Sequence, residues 1–203
     1  MKINSIVIFL ICISNMLFFS QCAEKSSENQ TTQSESTKPD FGGFESKEKW
    51  GEHLVTIGAC HDCHTPKKMT DHGPDLDSSL LLSGHPAQLP APDVNRKEME
   101  SKGLAVTGDL TSWIGPWGIS YTANLTSDST GIGNWKEEQF IYALREGKYK
   151  GLPSSRPLLP PMPWQMYKHM TDGELKAIFA YLKSTKPIRN VVPPPDPPVS
   201  ARR

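Results

Sequence analysis

Five consecutive residues, Cys60-His61-Asp62-Cys63-His64, constrain this chain of 203 residues more than any other feature. The sequence holds four cysteines, of which Cys12 lies inside an amino-terminal apolar run and Cys22 at its end. The folded part therefore keeps only Cys60 and Cys63, and no disulfide framework can be built beyond that pair. Two thiols three residues apart, followed at once by an imidazole, form the pattern of covalent haem attachment. The thiols reach the two porphyrin vinyl groups, and the adjoining histidine meets the iron. One motif predicts one haem c, held by Cys60 and Cys63, with His64 as an axial ligand. A structural zinc site would need a second ligand pair, drawn from His72 or His85 in a Pro-interrupted loop, and a thioredoxin-type pair would need a preceding strand. No strand pattern precedes Cys60, and the cysteines are already used up, so zinc and a redox pair stand as minor alternatives to haem.

The compartment agrees with haem attachment. Lys2 is followed by apolar residues from Ile6 to Phe19, and the polar stretch begins directly after Cys22, so residues 1–21 read as a secretory signal. Cys22 is placed like the acylated cysteine of bacterial lipoproteins, with an ordinary cleaved signal as the alternative. The prediction is an exported protein on the periplasmic side of a bacterial membrane, lipid-anchored through Cys22. Residues 22–40 are rich in Ser, Thr, Glu, Gln and Lys, too poor in apolar surface to offset the entropy of ordering, and read as a flexible linker. Its taut reach is roughly 60 Å. With Lys2 gone, 21 basic residues face 22 acidic ones. That balance offers no electrostatic footprint for nucleic acid and little global steering toward any partner.

Residues 41–190 carry the periodic patterns of one domain. Ser46 caps a first helix whose Trp50, Leu54 and Ile57 share a face, and Gly58 releases the chain into Cys60. A second helix is predicted from near Asn134, with Glu137 as capping-box partner, Phe140, Ile141 and Leu144 on its apolar face, and a stop at Gly147. A third starts at the capping box Thr171 to Glu174, places Leu175, Ile178, Phe179 and Leu182 on one face, and ends before Pro187. Residues 191–203, with Pro193, Pro194, Pro195, Pro197 and Pro198, read as an extended, solvated tail. About sixty residues between Gly73 and Gly133 lack a clear period, and short helices or a small hairpin are expected there, with Trp113, Trp117 and Tyr121 packed on the haem or its cover.

The sixth position on the iron decides between an electron carrier and a gas-binding or catalytic haem. Met162 is the favoured candidate, because Pro160, Pro161 and Pro163 stiffen its loop and present a thioether at low entropic cost. Met166, His169 and an open position are the alternatives. The second nitrogen of His64 needs an acceptor, and Pro74 in the Gly73-Pro74 turn is the backbone carbonyl expected to supply it. Lys67 and Lys68 beside the motif can steer an acidic partner or simply be a solvated pair.

The segment Gly58 to Pro66, with Asn124-Leu125-Thr126, Pro161-Met162-Pro163-Trp164 and Leu175 to Leu182, resembles the cytochrome c family. Within it the chain is most similar to the haem domains of membrane-bound alcohol and sugar dehydrogenase cytochrome subunits. The resemblance implies an all-α, cytochrome c-like fold around one covalent haem, here with a long loop-rich insertion. It also implies thioether bonds at Cys60 and Cys63 and axial ligation by His64 and Met162. The chain departs from those subunits in carrying one attachment motif where they usually carry three. The function expected is one-electron transfer between redox partner proteins, dehydrogenase or oxidase and reductase, without substrate chemistry. Replacing both Cys60 and Cys63 by Ala is expected to abolish covalent haem, checked by the intact mass of exported protein and by haem staining of denatured gels.

Overall fold

The computed structural model describes residues 40–201. The signal, Cys22 and nearly all of the linker lie outside the described residues, as do Arg202 and Arg203. Among the described residues no helix is long and apolar enough to cross a membrane.

Helix α1 (Lys47–Ile57) starts where Ser46 Oγ accepts the Lys49 N–H, and helix α6 (Asp172–Ser184) starts on the complete capping box of Thr171 and Glu174. Each cap satisfies backbone donors that a helix start would otherwise leave unpaired. The two helices meet at Gly51, where even a Cβ would collide with the Ala177 carbonyl oxygen, so the contact is backbone to backbone. Around that crossing Leu54, Val55, Leu175, Ile178, Phe179 and Leu182 are buried together with Phe140 and Leu144 of α4 (Glu137–Glu146). Each such side chain contributes about 1.5–3 kcal/mol of burial free energy. Ile57 departs from the expected face: it is 65% exposed, in the last turn of α1 and beyond the Gly51 crossing.

Helix α4 also begins later than its sequence suggests. Asn134 does not cap it, because Ile132 to Trp135 form a turn closed by the Trp135 N–H on the Ile132 carbonyl; Lys136 precedes the first helical residue without a side-chain cap. Gly147 ends it in the left-handed conformation, as expected. The motif itself forms the short helix α2 (Cys60–His64).

The fold is mixed rather than all-α. Two antiparallel hairpins interrupt the helices: β1 (Lys67–Thr70) with β2 (Gly73–Leu76), and β3 (Ser112–Gly115) with β4 (Gly118–Tyr121). Neither shows alternating hydrophobicity, because β1 and β2 are largely exposed and β3 and β4 are buried on both faces, so the period-two signal is missing. The long aperiodic region thus holds the β3–β4 hairpin, as anticipated, and the short helices α3 (Arg96–Ser101) and α5 (Trp164–Tyr167) lie before and after it in the chain.

The carboxy-terminal segment is not a solvated tail. Asp196 and Ile119 exchange two backbone hydrogen bonds, 2.8 and 3.0 Å, and Arg96 donates to the Pro197 carbonyl at 2.7 Å. Proline offers no N–H, yet its carbonyls still accept, and the one non-proline residue in the run supplies the donor.

The hairpin is anchored by Asp109. Its Oδ1 accepts the N–H groups of Thr111 and Ser112, both at 2.9 Å, and its Oδ2 accepts the Thr111 hydroxyl at 2.6 Å and faces His85 Nδ1 at 3.4 Å. Burial alone would raise its pKa, but the hydrogen bonds from His85, Thr111 and Ser112 outweigh burial and hold the carboxyl well below the usual range. A depressed carboxylate stabilises the fold fully above its unfolded pKa, near 3.9, and loses that contribution as pH falls toward the folded value. Asp109→Asn is expected to cost about 2 kcal/mol at neutral pH. The difference from the parent should shrink below about pH 4, as read from urea unfolding curves across pH.

Candidate functional site

The motif helix α2 is entered through Ala59 in the left-handed conformation and ends at Thr65. Its last residue, His64, is buried at 8% exposure, and Nδ1 lies 2.7 Å from the Ala123 carbonyl oxygen. A carbonyl only accepts, so Nδ1 carries the proton and Nε2 holds a lone pair. Burial lowers the pKa of His64, against the opposing Ala123 hydrogen bond, and so favours the neutral ring that metal ligation requires.

The acceptor differs from the one expected. Pro74 sits in the exposed β1–β2 hairpin opposite Met69, and the ring of His64 is held from another part of the chain. The segment around Ala123 runs beside residues 82–85: His85 N–H donates to Thr122 O and Leu125 N–H to Leu82 O. The same stretch grips α2, because Gly84 N–H donates to His64 O at 2.8 Å and Leu82 N–H to the buried Thr65 hydroxyl at 2.9 Å. Gly84 is required for this approach. It has φ +76°, and a Cβ there would fall 2.5 Å from the Ala123 carbonyl carbon. Asn124 fixes the next residue, donating to Ile188 O at 2.8 Å and accepting from Thr126 N–H at 2.9 Å.

The two thiols lie one helical turn apart and are free, both partly buried. Burial pushes the Cys60 thiol up to about 11 and raises Cys63 as well. Tyr167 on α5 donates its hydroxyl to Gly58 O at 2.6 Å, and burial pushes its own pKa up to about 12. The helix following Met162 is thereby tied to the chain entering the motif. Lys67 donates from Nζ to the carbonyls of Asp62 at 2.8 Å and Thr65 at 2.5 Å, where α2 exposes unpaired acceptors. It is engaged within the protein and is not a free steering charge; Lys68 remains exposed.

Burial separates Met162 from its alternatives Met166 and His169. Met162 is half-buried and packs against the core that also receives Cys60, Tyr167 and Met170. Met69 and Met166 are exposed, and His72 and His169 lie at the surface. His85 is buried, but its ring nitrogens are occupied by Thr111 Oγ1 at 2.8 Å and Leu89 O at 2.7 Å. Trp117 donates to Ser120 and Trp113 to Leu110, while Tyr121 packs on the His85 ring, so these three aromatics have partners within the hairpin region. Among the described residues no three His, Cys, Asp or Glu side chains converge as a metal site of their own.

A donor set of two uncharged thiols one turn apart, a buried neutral imidazole with a lone pair on Nε2, and an apolar neighbourhood containing a thioether fits a c-type haem. Ala123, Gly84 and Tyr167 were not legible as site residues, since each acts through its backbone or through a partner distant in the sequence.

No protein-family model matches the chain. It is similar to a nicotinate dehydrogenase subunit of Pseudomonas putida, 37% identical over 79 residues, which is 38% of this chain and 6% of that protein. The fructose dehydrogenase cytochrome subunit of Gluconobacter japonicus is 39% identical over 75 residues, 36% of this chain and 15% of that one. The cytochrome c subunit of a quinone alcohol dehydrogenase from Gluconobacter oxydans is 33% identical over 136 residues, 64% of this chain and 27% of that subunit. The chain thus spans only a minor share of each relative's length.

Gly84→Ala is expected to displace the Ala123 carbonyl and destabilise the protein by about 2 kcal/mol or more. Pro74→Ala should stay within about 0.5 kcal/mol of the parent. Thermal unfolding of the two variants, with haem content measured alongside, checks the difference.

Proposed function

From homology to cytochrome subunits of dehydrogenases, we propose that this protein is a c-type cytochrome that passes single electrons between redox partners outside the cytoplasm. Cys60 and Cys63 hold one haem covalently, and His64 and Met162 are its axial ligands. The observation that carries this reading is the buried His64, oriented by Ala123 at 2.7 Å with its Nε2 lone pair available next to two free thiols.

When bound, the haem supplies reversible one-electron exchange between Fe(III) and Fe(II). The chain's own residues do the rest. Ala123 fixes the ring plane and tautomer of His64, and the Gly84–His64 backbone bond keeps α2 from turning away. Met162, half-buried on the core, offers an uncharged sulfur; neutral ligands and apolar surroundings favour the lower-charge reduced state and raise the potential. With Cys60 and Cys63 in thioether bonds, Nδ1 of His64 bonded to Ala123 and Nε2 given to the iron, none of these groups would be left as a nucleophile or a general base.

The likeness to dehydrogenase subunits supports a dehydrogenase as the electron donor. Acylation at Cys22 would hold the domain, residues 41–190 with its tail, at the periplasmic face of a membrane, where search for a partner is confined to a thin layer. A small contact surface at the haem edge suits such brief encounters.

A redox titration followed optically tests the reading. The parent protein should show the long-wavelength ferric charge-transfer band of thioether ligation and resist carbon monoxide when reduced. Met162→Ala should lose that band, bind carbon monoxide on reduction and titrate at a lower potential. Rapid, complete carbon monoxide binding by the parent would instead assign an open sixth position, as in a gas sensor or haem enzyme.

A further inference from the structure

Resting on Met162 as the sixth ligand, we propose that Ser120 of strand β4 is a positioning residue that sets the Met162 loop, with the insertion and the carboxy-terminal segment as its support.

The Met162 loop is short of hydrogen-bond donors, since Pro157, Pro160, Pro161 and Pro163 carry no N–H. Its local backbone bonds run from Met162 N–H to Leu159 O at 3.2 Å and from Leu158 N–H to Gly147 O at 2.7 Å. Neither engages the Pro160 carbonyl, two residues before the sulfur. That carbonyl accepts the Ser120 hydroxyl at 2.6 Å, across 40 residues of sequence. The hydroxyl's direction is determined: it accepts the Trp117 indole N–H at 3.1 Å, which can only donate, and gives its one proton to Pro160, which can only accept. Ser120 is 7% exposed, so water cannot readily replace either partner.

The bond positions the loop only if β4 is itself held, and it is held on both edges. Strand β3 pairs with it in register, Ser112 opposite Tyr121 and Trp113 opposite Ser120. The neighbouring Ile119 exchanges both backbone bonds with Asp196. The segment carrying Asp196 is in turn tied to α3, by Arg96 on Pro197 O and by Val199 N–H on Glu100 Oε2 at 2.8 Å. The aperiodic insertion and the proline-rich end together form a bracket that reaches the Met162 loop through the Ser120 hydroxyl.

The test compares haem-loaded parent, Ser120→Ala, Ser120→Thr and Trp117→Phe. Losing a buried hydrogen bond should raise the rate of carbon monoxide binding to the reduced protein by roughly 3- to 10-fold in Ser120→Ala. The charge-transfer band of the oxidised protein should also disappear at a lower pH. Ser120→Thr keeps the hydroxyl and should restore both readouts, which a merely structural defect would not allow. Trp117→Phe leaves the Ser120–Pro160 bond unoriented and should shift both readouts in the same direction, by roughly 2-fold. A parent protein without the band overturns the ligand assignment itself. A parent with the band and a Ser120→Ala variant indistinguishable from it overturns the role of Ser120 alone. Should Ser120→Ala not accumulate, a Trp117→Phe variant equal to the parent overturns it as well.

Discussion

The hydrogen bond from His64 to the Ala123 carbonyl is the contact on which the site depends. Two thiols in a short helix can capture a planar ligand, but nothing in α2 by itself decides where the imidazole points. The 2.7 Å bond decides it, and it also determines which nitrogen keeps its lone pair. For the Ala123 carbonyl to be in place, the segments at residues 82–85 and 122–126 must lie side by side at backbone distance, which only a glycine at position 84 permits. Much of the surrounding architecture serves that pairing: Asn124 grips Ile188, Asn190 donates to the carbonyls of Ser83 and His85, and Ser127 donates to Thr185.

Those amide and hydroxyl clamps give the long loops a rigidity that helices would otherwise supply. Extended chain buried without a sheet leaves carbonyls and N–H groups in need of partners, and the polar side chains of this region meet that need one by one. The helical core of α1, α4 and α6 then plays a different role. It provides an apolar wall against which Cys60 and Met162 are packed, and it carries most of the burial free energy. The site thus lies between an apolar half made of helices and a polar, hydrogen-bonded half made of loops and hairpins.

The division explains which features could be read from the residues. Capping boxes and apolar periods are local signals, so the starts of α1 and α6 and the end of α4 agree with the structure. Asn134 misled because a good capping residue was already committed to a turn. A small hairpin was expected between Gly73 and Gly133, but no strand could be placed, because one hairpin has no buried face and the other has two. Pro74 was a reasonable source of the carbonyl by its proximity to the motif, yet the carbonyl that holds His64 lies 59 residues away in sequence. No local pattern marks such a partner. The same holds for Lys67, whose charge reads as surface but whose ammonium group closes the end of α2.

By itself the sequence narrowed the chemistry at the motif: paired thiols beside an imidazole, with the other two cysteines at Cys12 and Cys22 far toward the amino terminus, admit few occupants. It also determined the helices, because hydrophobic period and capping act over neighbouring residues and need no knowledge of the rest of the chain. Only the tertiary structure decided which carbonyl faces His64, that Met162 packs on the core while Met166 is exposed, and that the proline-rich end returns to brace a hairpin. Those are contacts between segments far apart along the chain, set by close backbone approach and the pairing of buried polar groups, and neither leaves a periodic trace in the residues that make them.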